Sequence, residues 1–338
     1  MKIVIISHPD FMRSKSMPLF ARMLFDGCGA QEIISPTPFF YNLSNSTSLK
    51  KWLGYVDQYL IFPFVLKFKY IKCDRDTVFV FADQALGPWV PWIKNRPHVI
   101  HCHDLMALRS ALDEISENPT NFTGKIYQKF IRWGFSKGRN FISVSEKTRD
   151  DLHRLANICA HQSIVVHNGL NYPYCPLSLN DRMEILKKSC LPVEVRGMLL
   201  HVGGRQWYKN RRGVVEMYAA YAGSVSDPLP LWMIGPEDQE SVLSAIKQVP
   251  PQGKVHIMSG LDSETLHAAY AHAVLMLFPS LDEGFGGPIV EAQACGTPVL
   301  TTDIAPMTEV GGRSAFYHYR RSVENSLIWA FDGGNLII

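Results

Sequence analysis

The stretch Glu283-Gly284-Phe285-Gly286-Gly287-Pro288-Ile289-Val290-Glu291-Ala292-Gln293-Ala294-Cys295-Gly296-Thr297-Pro298 places a run of glycines and a proline between two segments of opposite character. Ahead of it, Val274 to Phe278 is uninterruptedly apolar, as a buried strand would be. Behind the glycines, Pro288 stands where a first helical residue belongs and Gly296 where a helix stops. The stretch therefore predicts a strand, a tight glycine loop and a helix start. Such a loop lets backbone amides approach an anion without interference from Cβ atoms, and the helix N-terminus adds partial positive charge. By themselves the glycines are also compatible with an ordinary strand-to-helix turn, the lesser of the two readings. The two carboxylates shift the balance, since Glu283 precedes the helix and Glu291 lies about one turn inside it, so that both can face one ligand. A carboxylate can accept hydrogen bonds from two neighbouring hydroxyls at once.

Outward from this stretch, short apolar runs alternate with longer helical patterns, the signature of parallel sheets covered by helices. In the first half the expected strands are Ile3 to Ile6, Thr77 to Phe81, Val99 to Cys102, Asn140 to Val144 and Ile164 to Val166. In the second half they are Met198 to Val202, Leu231 to Ile234, Val255 to Met258, Val274 to Phe278 and Pro298 to Thr301. The length of 338 residues fits two α/β domains, each a doubly wound parallel sheet. The turn-rich segment Asn168 to Pro176 sets the boundary, giving domains 1–175 and 176–338.

The combination of glycines, the two glutamates and the trailing Cys-Gly-Thr-Pro-Val resembles the signature of retaining glycosyltransferase family 4, in its glycogen synthase-like and mannosyltransferase-like group. That resemblance implies the GT-B fold, two Rossmann-like domains facing a cleft, and transfer of a hexose from a nucleotide diphosphate sugar with retention of configuration. It assigns Glu291 to the nucleotide ribose and Glu283 to the transferred sugar as a catalytic residue. It also places Gly284, Phe285, Gly286 and Gly287 at the donor. Where relatives carry Leu or Met, this chain has Gly287 and Gln293.

A second element agrees. The strand Met198 to Val202 runs into Gly203-Gly204-Arg205-Gln206-Trp207-Tyr208-Lys209-Asn210. By resemblance Gly204, Arg205 and Lys209 meet the donor diphosphate, the two cations stabilising the leaving group. Alone, such a segment reads as a solvated basic loop. In the first half His103 ends the strand Val99 to Cys102, at the carboxyl edge where open α/β sheets bind ligands. The family's catalytic histidine at the transferred sugar maps onto it, with His101 as a competing candidate inside the strand. Ser145 caps a helix and lies near the donor at most. Many relatives have a Gly-Gly turn after the first strand where this chain reads Ser7-His8-Pro9-Asp10-Phe11. Ser14, Lys15 and Ser16 offer an alternative acceptor-side surface there. Relatives also usually continue past the landmark Glu309 to Gly312 with helices that return to the first domain.

With 46% hydrophobic and 19% charged residues, the composition excludes disordered and fibrous classes. Up to residue 170 there are 21 Lys/Arg against 14 Asp/Glu, and beyond it 13 against 17, so the basic half is the first one. That balance suits an anionic acceptor or membrane surface, or simply solvated faces. Between Lys50 and Lys69 aromatic residues interleave with lysines, which fits either an anionic membrane surface or a helix covering the sheet. No apolar stretch is long enough to span a bilayer, and Ile3 to Ile6 reads as a first strand rather than an export signal. Seven scattered cysteines read as reduced. The expectation is thus a cytoplasmic enzyme at the inner face of the cell membrane, using a GDP- or UDP-sugar and a glycan or lipid-linked acceptor in cell-surface polysaccharide synthesis. No metal motif, cofactor or nucleic-acid signal is evident. The alternatives are a nucleotide-sugar epimerase and a catalytically weakened nucleotide-sugar-binding subunit. A dinucleotide-dependent Rossmann enzyme ranks behind them because the first strand lacks Gly-x-Gly-x-x-Gly.

Overall fold

The computed structural model describes residues 2–11, 16–236 and 240–318, together with the backbone of 331–332 and 335–336. Two compact units divide the chain, Met1–His167 and Asn168–Ile338. The first holds strands β1 (Ile3–Ile6), β2 (Glu32–Ile34), β3 (Val78–Phe81), β4 (His98–Cys102), β5 (Asn140–Ser143) and β6 (Gln162–Val165). They form one sheet in the order β2-β1-β3-β4-β5-β6, and every pairing is parallel.

The second unit holds β7 (Met198–Val202), β8 (Leu231–Ile234), β9 (Val255–Met258), β10 (Ala273–Phe278), β11 (Val299–Thr302) and β12 (Ala315–His318). Their order is β12-β11-β10-β7-β8-β9, again parallel throughout.

Parallel sheets need cover on both faces, and the strand sequences supply it. In β7 and β8, Met198, Leu200 and Trp232 enter one core while Leu199, Leu231 and Met233 enter the other, so alternate residues feed opposite faces. In β1 the same alternation sends Val4 and Ile6 to a core with Phe79 and Trp89, and Ile5 to a smaller one with Ala21 and Ala82.

Strand order fixes where each sheet can bind a ligand. In the first sheet the chain winds one way from β1 to β2 and the other way from β3 onward, so the crevice opens between the carboxyl ends of β1 and β3. In the second sheet the reversal falls between β7 and β10, at the two loops that carry the glycine motifs.

Two strands escaped the sequence reading. β2 has three residues and β12 lies at a sheet edge with Phe316 and Tyr317 each 37% exposed, so neither shows a buried apolar run. The boundary expected at 175/176 moves to 167/168 because the turn-rich segment packs with the second unit. Tyr174 is buried there, edge-on to Tyr270 at 5.6 Å, and His267 Nε2 lies 2.6 Å from the Cys175 carbonyl.

Candidate functional site

β7 leaves its sheet through Gly203 and Gly204 into a short 3-10 turn, Trp207–Lys209, and then Asn210 adopts a left-handed conformation, φ 50° and ψ 41°. Asparagine tolerates that geometry because its side chain bonds locally. Its carboxamide oxygen accepts from Gly213 N–H at 3.3 Å, capping the helix Arg211–Ser224, while its NH₂ donates to the Pro279 carbonyl at 3.1 Å. The Leu281 amide donates to the Tyr208 carbonyl at 2.7 Å. The loops after β7 and β10 are thereby stitched together.

The result is an ion pair between distant segments. Lys209 Nζ donates to Glu283 Oε1 at 2.7 Å, and Ser280 Oγ donates to the same oxygen at 2.9 Å. The two charged side chains are 13% and 8% exposed, and Lys209 also lies 4.9 Å from the centre of the Phe278 ring. A pair this dry needs good geometry to offset desolvation, and the extra Ser280 bond supplies part of it.

Gly286 ends the loop at φ +100°, a conformation suited to glycine, and the helix Gly287–Ala294 follows with Pro288 in its first turn. Gly284 and Phe285 are buried in this loop. A Cβ on Gly287 would sit 3.9 Å from Glu291 Oε1, so this carboxylate lies beside the first helical turn. Tyr270 donates its hydroxyl to Glu291 Oε2 at 2.6 Å. Burial raises the Glu291 carboxyl above its ordinary range, opposed by the Tyr270 hydrogen bond and the Lys209 charge. Lys209 therefore acts on both carboxylates, by contact on one and through its field on the other.

Gly204 stays in the loop, where a Cβ would meet the mobile end of Gln206. Arg205 is exposed and lines a cavity of about 210 Å³ with Trp207, Arg211 and Arg212. Beneath the loop, His201 is fully buried, pushed down to about 3 by burial and hence neutral, with Nδ1 donating to the Leu277 carbonyl at 2.9 Å.

In the first unit, His103 Nε2 donates to the Ala82 carbonyl at 2.9 Å, its amide donates to Gln84 Oε1 at 3.0 Å, and Phe20 sits edge-on at 4.3 Å. Its ring is thus fixed, with Nδ1 as the acceptor side. The competing His101 is buried in the strand and pushed down to about 4 by burial, with His103 adding to the effect. Ser145 is buried and accepts from Thr148 N–H at 3.1 Å, capping the helix Glu146–Ala156. Ser14 and Lys15 lie outside the described residues, while Ser16 opens the helix Ser16–Cys28. Sequence reasoning missed Tyr270 and Ser280. Ser280 follows the end of β10 and had a local signal; Tyr270 had none, since it belongs to another helix, Ser263–His272.

Two fully parallel six-stranded sheets with helices interleaved on both faces define the GT-B fold, and solved structures agree. WaaG, a glycosyltransferase involved in lipopolysaccharide biosynthesis, superposes with a TM-score of 0.67 at 16% identity, covering 96% of this chain and 89% of that one. Anabaena Alr3699/HepE, solved in complex with UDP and glucose, superposes at 0.64 with 16% identity, covering 97% and 88%. The profile described as Glycosyltransferase Family 4 matches residues 47–172, and that described as Glycosyl transferases group 1 matches residues 183–313. The chain belongs to the glycosyltransferases of the family 4 type. It is 26% identical over 187 residues to the O-antigen chain mannosyltransferase B of Escherichia coli, covering 55% of this chain and 49% of that protein. It spans about half the length of the curated relatives it matches first.

Proposed function

We propose that the protein transfers a hexose, mannose in the first instance, from a nucleotide diphosphate sugar to a glycan or lipid-linked acceptor, with retention of configuration. The observation that carries this reading is the convergence of Lys209 and Glu283, on the loops that leave β7 and β10 where the strand order reverses, with Glu291 in the helix that follows the second loop. The glycine loop and the helix start at Gly287 offer amides and partial positive charge to a diphosphate. Lys209 and Arg205 supply cationic charge for the departing nucleotide, so no metal ion is invoked. Glu291 accepts the ribose hydroxyls and Glu283 those of the transferred sugar. His103 is the first unit's contribution to that sugar, a role that rests on resemblance. Mannose is chosen because the curated relatives include O-antigen mannosyltransferases. Retention follows from the family.

Thermal melting with GDP-, UDP- and ADP-sugars tests this directly. A donor at about 100 times its Kd stabilises the binding state by about 2.7 kcal/mol. GDP-mannose is expected to give the largest rise in melting temperature. If none of the panel shifts the melt, the donor reading is wrong. Release of nucleoside diphosphate that depends on an acceptor separates transfer from epimerisation.

We further propose that the first unit rests on an anionic membrane. The helices Thr47–Val56 and Phe62–Lys72, joined through the π turn Asp57–Ile61, bury Phe62 and Leu66 inward. Outward they expose Trp52 at 66% and Phe68 at 66%, and the helix Phe122–Phe135 adds Phe122 and Ile126. Lys50, Lys51, Lys67 and Lys72 lie on the first two helices, where Lys69 is ion-paired with Glu32 and the neighbouring Asp57 is buried and accepts from Phe40 and Tyr41 amides at 2.9 and 2.8 Å. The surface thus offers positive charge around apolar side chains. No described helix is long and apolar enough to cross a membrane. Sedimentation with phosphatidylglycerol vesicles should show binding that weakens about tenfold in Trp52→Asp/Phe68→Asp, since two buried aromatics contribute at least 1.4 kcal/mol. Equal binding by both proteins would refute the surface.

A further inference from the structure

A groove of about 570 Å³ opens in the first unit between the helices Thr47–Val56 and Phe122–Phe135, and the donor site makes no use of it. That volume falls within the range of about 300–1,000 Å³ of small-molecule sites. Both walls are fixed to one loop, Gln84–Trp89, which leaves the carboxyl end of β3. On one side Trp89 Nε1 donates to the Gln58 carbonyl at 2.8 Å, tying down the π turn Asp57–Ile61. On the other, a Cβ on Gly134 would stand 2.2 Å from the Gly87 carbonyl oxygen, so the second helix is seated directly on that loop. The groove is thus preformed, and it stands on the carboxyl side of the sheet, where open α/β folds bind ligands.

Its lining is mostly aromatic. Trp52, Tyr55, Tyr59, Tyr127 and Phe130 face it, with neighbouring ring centres 5.5 to 6.2 Å apart. Within it the Tyr59 and Tyr127 hydroxyls lie 2.6 Å apart. Burial pushes both phenols up, so both keep their protons at neutral pH. Two hydroxyls hold two hydrogens, and the bond between them uses one. The second meets no acceptor among the described residues. The Asn121 carboxamide oxygen accepts from Gly124 N–H at 2.8 Å and from the Thr123 hydroxyl at 3.1 Å, while its NH₂ has no partner among the described residues. Two donors are therefore left for whatever enters.

We infer that this groove binds sugar rings of a glycan acceptor. The inference rests on the proposed transferase function and narrows its acceptor from a glycan or lipid-linked molecule to one held by its sugars. A pyranose has a face of C–H bonds and an edge of hydroxyls. The C–H face suits the negative faces of aromatic rings, and the edge oxygens accept the spare phenol hydrogen and the Asn121 amide. A hydrocarbon chain would take both donors out of water without bonding them, which is unfavourable. Ile126 is the one aliphatic side chain among the five rings, so the lining is built for planar contact rather than for a chain.

The test measures binding by titration calorimetry, without vesicles, of three trisaccharides (of mannose, glucose and galactose) and of octanol as the hydrocarbon probe. The wild type is compared with Tyr59→Phe, Tyr127→Phe, the double variant Tyr59→Phe/Tyr127→Phe, and Tyr55→Leu. At least one trisaccharide should bind the wild type. Either single phenylalanine variant keeps one O–H free to turn to the sugar and should bind within about twofold of the wild type. The double variant has none and should bind about tenfold more weakly. Tyr55→Leu keeps apolar bulk but loses a ring face, and should weaken binding about fivefold. All four variants should remain folded, and GDP-mannose should raise their melting temperatures as it does for the wild type. In transfer assays the double variant should raise the acceptor KM about tenfold and leave the donor KM unchanged. A wild type that binds none of the trisaccharides, or a double variant that binds them equally well, would overturn the inference. Binding of octanol without the sugars would mark a hydrocarbon site and overturn it too. Trisaccharide binding in this pattern by a wild type that binds no nucleotide sugar would instead overturn the transferase reading and leave the groove a glycan site.

Discussion

Glu283→Ala is expected to destabilise the second unit and to slow transfer severely, the largest combined effect in the molecule. The substitution leaves the Lys209 ammonium, 13% exposed, without its carboxylate. Breaking one side of a buried pair costs about 3–5 kcal/mol. For a unit of this size that corresponds to a fall of roughly 10 °C in melting temperature. Nucleotide release should fall by about 10²–10³, the range for removing one well-placed polar contact at a reacting centre. The double variant Glu283→Ala/Lys209→Met separates the two effects. It removes both charges, so thermal melting should recover most of the lost stability while activity stays low. If Glu283→Ala melts and turns over like the wild type, the loops do not depend on this pair and its assignment is wrong.

Glu291→Gln is expected to move stability and binding in opposite directions. Burial raises the Glu291 carboxyl in the folded protein, while Tyr270 and Lys209 oppose the rise. Below the ordinary carboxyl range both folded and unfolded chains hold the proton. As pH climbs past that range the unfolded chain releases it first, so the folded state loses stability until its own carboxyl ionises. Above that point the deficit persists. A glutamine has no proton to release, so the variant should melt higher than the wild type at pH 7 and lack this decline over the window above the ordinary carboxyl range. Its donor affinity should fall about 10- to 100-fold, because hydrogen bonds to a charged acceptor contribute about 1.5–3 kcal/mol. Melting curves against pH, with and without GDP-mannose, measure both quantities. Undiminished donor stabilisation of Glu291→Gln would exclude a ribose contact.

The opposite signs say something about how the site is built. Glu291 is a carboxyl held where burial disfavours its charge, satisfied in part by the Tyr270 hydroxyl at 2.6 Å. A sugar offering two hydroxyls would complete its hydrogen bonding, so the stability that burial costs at Glu291 would return on binding. Glu283 differs, because Lys209 and Ser280 already satisfy one of its oxygens. The first carboxylate is poised for a ligand, while the second is part of the scaffold that joins two loops.

Much of this was legible in the chain because it is local. Strand, glycine loop, proline and helix occupy consecutive positions from Val274 to Gly296, and short-range sterics settle them: Gly286 takes φ +100° and Pro288 falls in the first helical turn. Short runs of apolar and β-branched residues marked ten of the twelve strands of the two large sheets, β6 among them although its edge position leaves it partly exposed, and missed the three-residue β2 and the edge strand β12. The segment Asn168 to Pro176 looked like a divider because turn residues advertise a loop, but they do not say which core the loop covers. The edge-on packing of Tyr174 on Tyr270 decides that.

The contacts that give the site its electrostatics were settled only in three dimensions. Lys209 meets Glu283 across 74 residues, and Tyr270 meets Glu291 across 21. Each depends on sheet order, which sets β7 beside β10. Strand order is chosen by the packing of whole faces, a sum over many side chains that no local pattern carries. Residue identity and spacing along the chain determined which groups could hold a phosphate or a hydroxyl. The folded sheets determined which of those groups face one another, how far water is excluded from them, and so which charges they carry.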